Sequence, residues 1–416
     1  MRVFKFGGAS VKDANGVKNL ASVLKAIGHE NTLVVISAMG KTTNAMELVI
    51  KNYFEHKDEL QSSIHEVIKY HNEILLDLFE NERHLVFEAV KTLFDEMSLF
   101  FKSNKSPDYN YVYDQTIGFG ELISTTIMSH YLNEIGLENR WLDVREFIKT
   151  DNYYRRANVD WEQTQENIVS KVNTSVLNIT QGFLGSDANN FTTTLGREGS
   201  DYTAAIFAYC LNANSVTIWK DVPGVLNADP RYFENAQLLH QISYREAIEL
   251  AFYGASVIHP KTLQPLQQKE IPLFVKSFLN PKADGTCVSK GKAIEPHVPC
   301  FIVKKNQILI SLSSLDFSYI VEENISEIFS LLHLYKMKVD VIQNSAISFS
   351  VCVDNIYDNR DKLLQHLKAK FNVTCHDNVS LYTIRHYNDI AIKELEKDKT
   401  VLLKQLTQGT VQIVTK

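Results

Sequence analysis

The sequence predicts an α/β protein: an open, mostly parallel sheet sandwiched by helices, followed by a smaller α+β domain. Three observations predict it. Residues 2–6 suit a strand, Val17, Leu20, Ala21, Leu24 and Ile27 mark one helical face, and residues 32–37 form a second β run. A strand, helix and strand in succession make a parallel pair. Strand and helix signals then alternate to about residue 279. Residues 280–299 hold three prolines and two glycines among polar neighbours, the composition of a domain boundary. Beyond them the order becomes strand, helix, two strands, helix, strand.

The elements follow from local pattern. Residues 46–101 read as helical, with Leu60, Ile64, Val67, His71, Ile74 and Leu78 on one stripe and Leu85, Ala89, Leu93, Met97 and Phe100 on another; this is the face of a helix packed on a core. We assign 46–106 to a helical insertion within a first domain of residues 1–290. In the C-terminal part, 307–314 alternates as a strand, 325–336 as a helix, 339–343 and 346–353 as strands and 361–371 as a helix. A strand at 378–386 closes a second domain of residues 300–386. Residues 391–406 read as a helix and 410–414 as a strand, leaving 387–416 as a partial repeat of that domain.

Composition narrows the function. The chain has 416 residues, 44% hydrophobic and 22% charged, enough for two or three cores. A formal charge of −6 without a basic block argues against nucleic acid as the main partner, because phosphate-backbone binding needs clustered Lys and Arg. No apolar run approaches about 18 residues, so no membrane association is expected and the cytoplasm is the expected location. Cys210, Cys287, Cys300, Cys352 and Cys375 are far apart, without a Cys-x-x-Cys pair or a neighbouring histidine at ligand spacing. They read as small buried hydrophobes, and no resident metal site is expected. Gly40-Lys41-Thr42 resembles the end of a Walker loop, but the glycine needed five positions earlier is Val35.

Chemistry concentrates in three segments. VFKFGGASV (3–11) reads as strand, phosphate loop and helix: Gly7 and Gly8 let an anion reach the backbone amides, including that of Ala9, and Lys5 ends the strand where its charge meets a phosphoryl oxygen. TTTLGREGSDYTAA (192–205) is a second glycine-rich loop, with Gly196 and Gly199 around Arg197 and with Ser200 and Asp201 opening a helix from Tyr202. Two such loops imply a polyanion between them. IWKDVPGVLNADPR (218–231) follows a strand at 215–219 and supplies a Pro-Gly turn with Lys220, Asp221 and Arg231. On residues alone, Asp201 fits a helix N-cap as well as a catalytic acid, and Glu121, after Gly118-Phe119-Gly120 in a strand-to-helix turn, fits a helix-dipole partner as well as a ligand group.

These segments, with GELIST (120–125) and FYGASVIHPKTLQP (252–265), resemble those of the aspartate kinases in the amino-acid kinase family, in the same order and spacing over about the first 290 residues. The chain lacks the length of a fused homoserine dehydrogenase, so the resemblance is to monofunctional members. It implies the amino-acid kinase fold for the first domain and an ACT-type regulatory domain for the second, with residues 387–416 a truncated second ACT-like element. It implies phosphorylation of L-aspartate to 4-phospho-L-aspartate with ATP and Mg²⁺, the first step toward lysine, threonine, methionine or diaminopimelate.

Carried over position by position, the resemblance places Lys5, Gly7, Gly8, Ala9 and Ser10 on the nucleotide phosphates. It places Lys220, Asp221, Leu226, Arg231 and Ser256 around the nucleotide and Ser37, Thr43, Glu121, Phe183, Arg197 and Ser200 around the amino acid. Three departures stand out. Ala9 replaces a usual Thr or Ser, Leu226 a frequent tyrosine, and Ser256 a lysine. In the regulatory part, Asp340 and Ser345 match positions that receive an amino-acid effector. Lysine is the favoured effector, followed by threonine or none, and a homodimer through the ACT-like region is expected because it closes an open sheet edge.

The chemistry fits the residues. A carboxylate nucleophile is already ionised at neutral pH and needs no general base, so catalysis is positioning plus positive charge around the transferring group. Arg197 can grip a carboxylate bidentately and Glu121 can accept from an ammonium. Asp201, being anionic, acts through a cation: Lys5 or the Mg²⁺ shell. A kinase of glutamate or acetylglutamate is the enzymatic alternative, although an acetylated substrate offers Glu121 no ammonium. A catalytically silent amino-acid sensor is the alternative outside enzymes, suggested by Ser256 and the altered regulatory end.

Overall fold

The computed structural model describes residues 1–255, 258–316 and 318–416; Ser256, assigned above to the nucleotide, lies outside the described residues. The chain divides into two compact units. The first comprises Met1–Val225, Leu238–Ile248 and Ile258–Ile294, and the second comprises Leu226–Gln237, a segment beginning at Glu249, and Glu295–Lys416.

The first unit opens with β1 (Arg2–Phe6), α1 (Ala14–Ile27) and β2 (Thr32–Ile36). Asp13 caps α1 by accepting from Gly16 N–H at 2.8 Å, satisfying an amide that the first turn leaves without a partner. An unbroken helical run follows: α2 (Thr42–Glu55), α3 (Leu60–Leu78), α4 (Leu85–Ser103), α5 (Tyr109–Ile117) and α6 (Phe119–Glu134). It extends past residue 106. The α3 stripe buries Ile64, Val67, His71 and Ile74 as expected. The α4 stripe holds only in part: Met97 is buried and Leu93 and Phe100 are half-buried against the core, whereas Leu85 is exposed and Val86, Val90, Phe94 and Phe101 make up the rest of the buried face. Both faces of α4 are apolar enough to pass for the core face, and packing against α6 selects one.

The rest of the unit is β3 (Asn139–Leu142), α7 (Trp161–Lys171), β4 (Leu177–Gln181), β5 (Leu184–Ser186), β6 (Thr192–Thr194), α8 (Gly199–Cys210), β7 (Ser215–Lys220), β8 (Gln241–Ser243), α9 (Tyr244–Tyr253), α10 (Pro260–Gln268), β9 (Leu273–Ser277) and β10 (Thr286–Ser289). Eight strands form one sheet in the order β3-β4-β2-β1-β7-β9-β10-β8. Every pairing is parallel except β9 with β10. β1 lies between β2 and β7, and Trp219 of β7 packs edge-on against Phe4 and stacks on Phe6. Parallel strands end on one edge, so the loops after β1, β2, β4 and β7 gather there, where open α/β sheets bind ligands.

The second unit holds β11 (Cys300–Ser314), α11 (Glu322–Leu334), β12 (Lys338–Asn344), β13 (Ser348–Asp354), α12 (Arg360–Lys368), β14 (Phe371–Arg385), α13 (Asp389–Glu396), β15 (Val401–Thr407) and β16 (Thr410–Thr415). Its six-stranded sheet runs β12-β13-β11-β14-β16-β15. β11 and β14 are each 15 residues long, and their pairing shifts register between Lys304 and Leu309. Each long strand therefore serves two modules. The C-terminal half of β11 pairs with β13, whereas the 380–385 part of β14 pairs with β16.

Two expectations change here. Residues 371–375, rather than 378–386, pair beside the 310–314 half of β11 and close the first module. Residues 391–406 are not one helix: α13 stops at Glu396, Asp398 takes a left-handed φ of 59°, and β15 begins at Val401. Leu402, Leu403 and Leu406 have good helix propensity, but pairing with β16 overrides it. The partial second module is thus completed by the 300–304 half of β11 and the 380–385 part of β14, which sequence order hides.

Candidate active site

At the C-terminal edge of the larger sheet, a cavity of about 400 Å³ is lined by Lys5, Ser37, Thr43, Glu121, Phe183, Arg197, Ser200 and Asp201, together with Tyr113, Arg155 and Glu198. All eight residues assigned to catalysis or amino-acid binding line it.

Lys5 is the penultimate residue of β1, just before the Gly8–Val11 3₁₀ turn. Its Nζ lies 2.7 Å from Asp201 Oδ1, and both side chains are largely buried, at 10% and 1% exposure. The other carboxylate oxygen, Asp201 Oδ2, is buried with no hydrogen-bond partner. Asp201 is therefore no N-cap. It lies inside the first turn of α8, whose N-cap position is Glu198 at φ 56° with no side-chain cap.

Gly8 also has a packing function. A Cβ there would stand 2.7 Å from the Ala38 carbonyl and 2.8 Å from the Gly40 carbonyl, so the glycine lets the phosphate loop lie against the turn after β2. Gly40 N–H donates to Gly8 O at 3.0 Å across that contact. A Cβ at Gly7 would meet only Lys5 Nζ, at 3.4 Å. Ala9 is exposed, whereas Ser10 is buried and spends its N–H on the Gly7 carbonyl at 2.9 Å.

Glu121 stands in the first turn of α6, entered from α5 rather than from a strand. α6 is buried almost all round and so carries no polar stripe to show its position. Glu121 is 3% exposed. Its Oε1 accepts from Ala38 N–H at 3.4 Å and its Oε2 has no partner. Burial pushes its carboxyl up to about 8, with the Ala38 N–H pulling the other way. A cation brought to this carboxyl would restore its charge.

Arg197 and Glu198 are exposed at the cavity mouth. Phe183, at φ 73°, donates its N–H to Thr203 Oγ1 at 3.0 Å and accepts at its carbonyl from Leu195 N–H at 2.9 Å. A Cβ on Gly199 would lie 2.6 Å from Phe183 Cδ2, so this glycine permits the ring to pack on the start of α8. Ser37 receives position from β2: its N–H donates to Phe6 O at 3.1 Å, and its carbonyl accepts from Ser124 Oγ at 2.8 Å.

The remaining assigned residues fall elsewhere. Lys220 ends β7 and Asp221 follows it on the same sheet edge as Gly7, outside the cavity. Leu226 and Arg231 belong to the second unit, where Arg231 pairs with Asp229 at 2.6 Å. In that unit Asp340 is half-buried with its carboxylate enclosed; its Oδ1 lies 2.7 Å from Lys304 Nζ and 3.8 Å from Lys338 Nζ, with Oδ2 unpartnered. Ser345 is an exposed turn residue bonded to Ser348.

Three contributors went unnoticed in the sequence. Asp114 is fully buried and accepts from Arg155 N–H, Thr194 N–H and Thr194 Oγ1 at 2.8–3.0 Å; burial raises its carboxyl to about 6. Tyr113 donates to Glu47 Oε1 at 3.1 Å. Arg155 lies 4.4 Å above the Tyr113 ring. The only linear trace of this group is the tyrosine spacing of YNYVYD (109–114).

Residues 1–277 match the amino acid kinase family. Lysine-sensitive aspartokinase 3 of Escherichia coli is 32% identical over 364 residues, 85% of this chain and 78% of that one. The chain belongs to the amino acid kinase family, among the aspartokinases. It covers less of the other relatives: 63% of Arabidopsis thaliana aspartokinase 1, also 32% identical over 85% of this chain, and 42% of that plant's bifunctional aspartokinase/homoserine dehydrogenase 2, 30% identical over 89%. Two crystal structures of E. coli aspartokinase III align over the whole chain at 28% identity. The complex with lysine and aspartate has a TM-score of 0.84 and is covered to 95%; the complex with aspartate and ADP has 0.80 and 96%.

Proposed function

We infer that this aspartokinase transfers the γ-phosphoryl group of ATP to the side-chain carboxylate of L-aspartate, giving 4-phospho-L-aspartate and ADP. One observation carries the reading: a single cavity holds a buried Lys5–Asp201 pair, a guanidinium from Arg197 and the buried, partly unsatisfied carboxyl of Glu121. An amino acid with two carboxylates and an ammonium answers each of these groups. The E. coli relative crystallised with aspartate and ADP supports the same pair of substrates.

In this reading Arg197 grips the α-carboxylate, and Glu121, ionised by the ammonium it meets, fixes the amino acid's orientation. The side-chain carboxylate then faces Lys5. Lys5 offsets charge on the transferring phosphoryl group, and the amides of the loop at Gly7–Ala9 donate to phosphate oxygens. Asp201 holds Lys5 in place through their ion pair. Within the first unit, Lys220 and Asp221 are assigned to the nucleotide.

Among the described residues no group of three or more His, Cys, Asp or Glu could hold a metal. The unpartnered Oδ2 of Asp201 fits a role beside a nucleotide-borne Mg²⁺, directly or through its waters. When bound with the nucleotide, Mg²⁺ would supply positive charge against the phosphates.

For regulation, lysine is the favoured effector at Asp340, whose carboxylate an incoming ammonium would have to share with Lys304. The second unit's sheet ends in β12 and β15, which leave Ile342, Val401 and Leu406 exposed, and a two-fold dimer there would pair an open edge. A cytoplasmic location accords with the absence, among the described residues, of any helix long and apolar enough to cross a membrane.

The test is ADP release with a panel of amino acids, trapping acyl phosphate with hydroxylamine. Aspartate-dependent hydroxamate is expected. Its absence with aspartate and presence with glutamate or acetylglutamate would move the substrate assignment, and absence with all three would favour a sensor.

A further inference from the structure

Arg155 is a residue that nothing in the sequence motifs assigns, yet it lines the same cavity as Arg197 and Glu121. Its backbone is held at φ 69°, a left-handed conformation that costs a residue with a Cβ about 1 kcal/mol or more and persists only where the surroundings over-determine it. Here they do. Its N–H donates to both oxygens of the buried Asp114 carboxylate, at 3.0 and 2.9 Å. The same carboxylate accepts the N–H and hydroxyl of Thr194, and Ala157 N–H closes on Thr194 O at 2.9 Å. Thr194 leads through Leu195 into the Gly196–Arg197 loop. The two loops also touch backbone to backbone, since a Cβ on Gly196 would lie 3.3 Å from the Arg155 carbonyl.

Two arginines are thus carried on one cross-braced pair of loops at one cavity. The Arg155 guanidinium carbon lies over two aromatic rings, 4.4 Å from the Tyr113 ring centre and 5.7 Å from that of Tyr109. A cation–π contact of this kind holds the guanidinium in place without using its charge on a carboxylate, so its N–H groups can still serve a planar anion. Among the described residues neither Arg155 nor Arg197 lies within ion-pair distance of a carboxylate. Lys5, by contrast, already has Asp201. The two unpaired cations are those that an incoming carboxylate can satisfy.

We propose that Arg155 is a specificity-determining residue of the substrate pocket, forming with Arg197 a two-guanidinium clamp for the α-carboxylate of the amino acid; this rests on the aspartate-kinase reading above. The strain is then the cost of placing this cation, and Asp114 is the positioning residue that holds it. A pocket with two guanidinium groups on one carboxylate should discriminate sharply against substrates in which that carboxylate is an amide, because a neutral amide leaves both cations unanswered.

The test uses Arg155→Gly and Arg155→Lys in the full chain, with L-aspartate and its α-amide as substrates. Glycine relieves the left-handed strain, so the Gly variant is expected to melt no lower than the wild type, which separates binding from folding. Its KM for aspartate should rise about tenfold or more, with the KM for ATP unchanged. The preference for aspartate over the α-amide should fall by a similar factor. The Lys variant should restore part of the loss, since it keeps the charge without the fork. An aspartate KM within about twofold of wild type in Arg155→Gly, with the preference intact, would overturn the clamp. Wild-type hydroxamate formation is measured alongside: if it fails, the aspartate-kinase reading falls, whereas if it succeeds and the variants are indifferent, only the role of Arg155 falls.

Discussion

Aspartate binding should release a proton, and Glu121 should be its source. The carboxyl is fully buried, has one weak N–H partner and is pushed up from an ordinary 4.5 to about 8. At pH 7 only about one-tenth of free enzyme would carry the ionised form, and at pH 6 about one-hundredth. The substrate ammonium requires the ionised form, and its charge pulls the carboxyl back down on binding. Apparent affinity for aspartate should therefore strengthen about tenfold per pH unit from about pH 6 to pH 7 and level off above about 8. Calorimetry at pH 7 in buffers of different ionisation enthalpy should count about 0.9 proton released per aspartate. Glu121→Gln should bind more weakly, without the slope and without proton release. The same shift acts on folding: the folded value is raised, so its contribution to stability is complete below 4.5 and is lost as pH rises through about 8. No proton release by the wild type, or the same pH slope in Glu121→Gln, would refute the reasoning.

Other perturbations separate chemistry from binding. Lys5→Ala and Asp201→Asn should each lower kcat by about 10² or more with a smaller change in the aspartate KM, because both act on charge that develops during transfer; near-native turnover in a folded variant would make that residue structural. Arg197→Ala should raise the aspartate KM with little effect on that for ATP. Because Arg197 is exposed at the cavity mouth, the loss should sit nearer tenfold than the several kcal/mol of a buried pair, and an unchanged KM would place the carboxylate grip elsewhere. Lysine and threonine titrated calorimetrically against wild type and Asp340→Ala test the effector site. Heat with lysine that Asp340→Ala abolishes is expected, and no heat from either amino acid would leave the second unit with assembly alone.

The parallel sheet and the two glycine loops, with Lys5, Arg197, Ser200 and Asp201, were legible because each depends on short-range pattern, whereas Ser37, Thr43, Glu121 and Phe183 were placed only by the family resemblance. A strand that ends in Lys-Phe-Gly-Gly announces its own loop, and Thr-Leu-Gly-Arg-Glu-Gly-Ser-Asp announces a helix start. What linear pattern could not rank were faces and partners. Two apolar faces of α4 competed, and contact with α6 chose between them. Leu402 to Leu406 favour helix locally and become strand because β16 is there to pair with.

Sequence by itself determined which residues could do this chemistry and the elements that carry most of them. Tertiary structure decided which state and neighbour each acquired. Asp201 became an ion-pair partner rather than a cap because the helix begins at Gly199 and β1 ends beside it. Glu121 acquired its raised carboxyl from burial, a property of everything packed around it rather than of its own segment. Arg155 entered the cavity because Asp114, 41 residues earlier in the chain, holds its backbone in a conformation that its own sequence disfavours. Burial, ion pairing and enforced strain are sums over neighbours remote in sequence, so they come into existence only when the chain has folded.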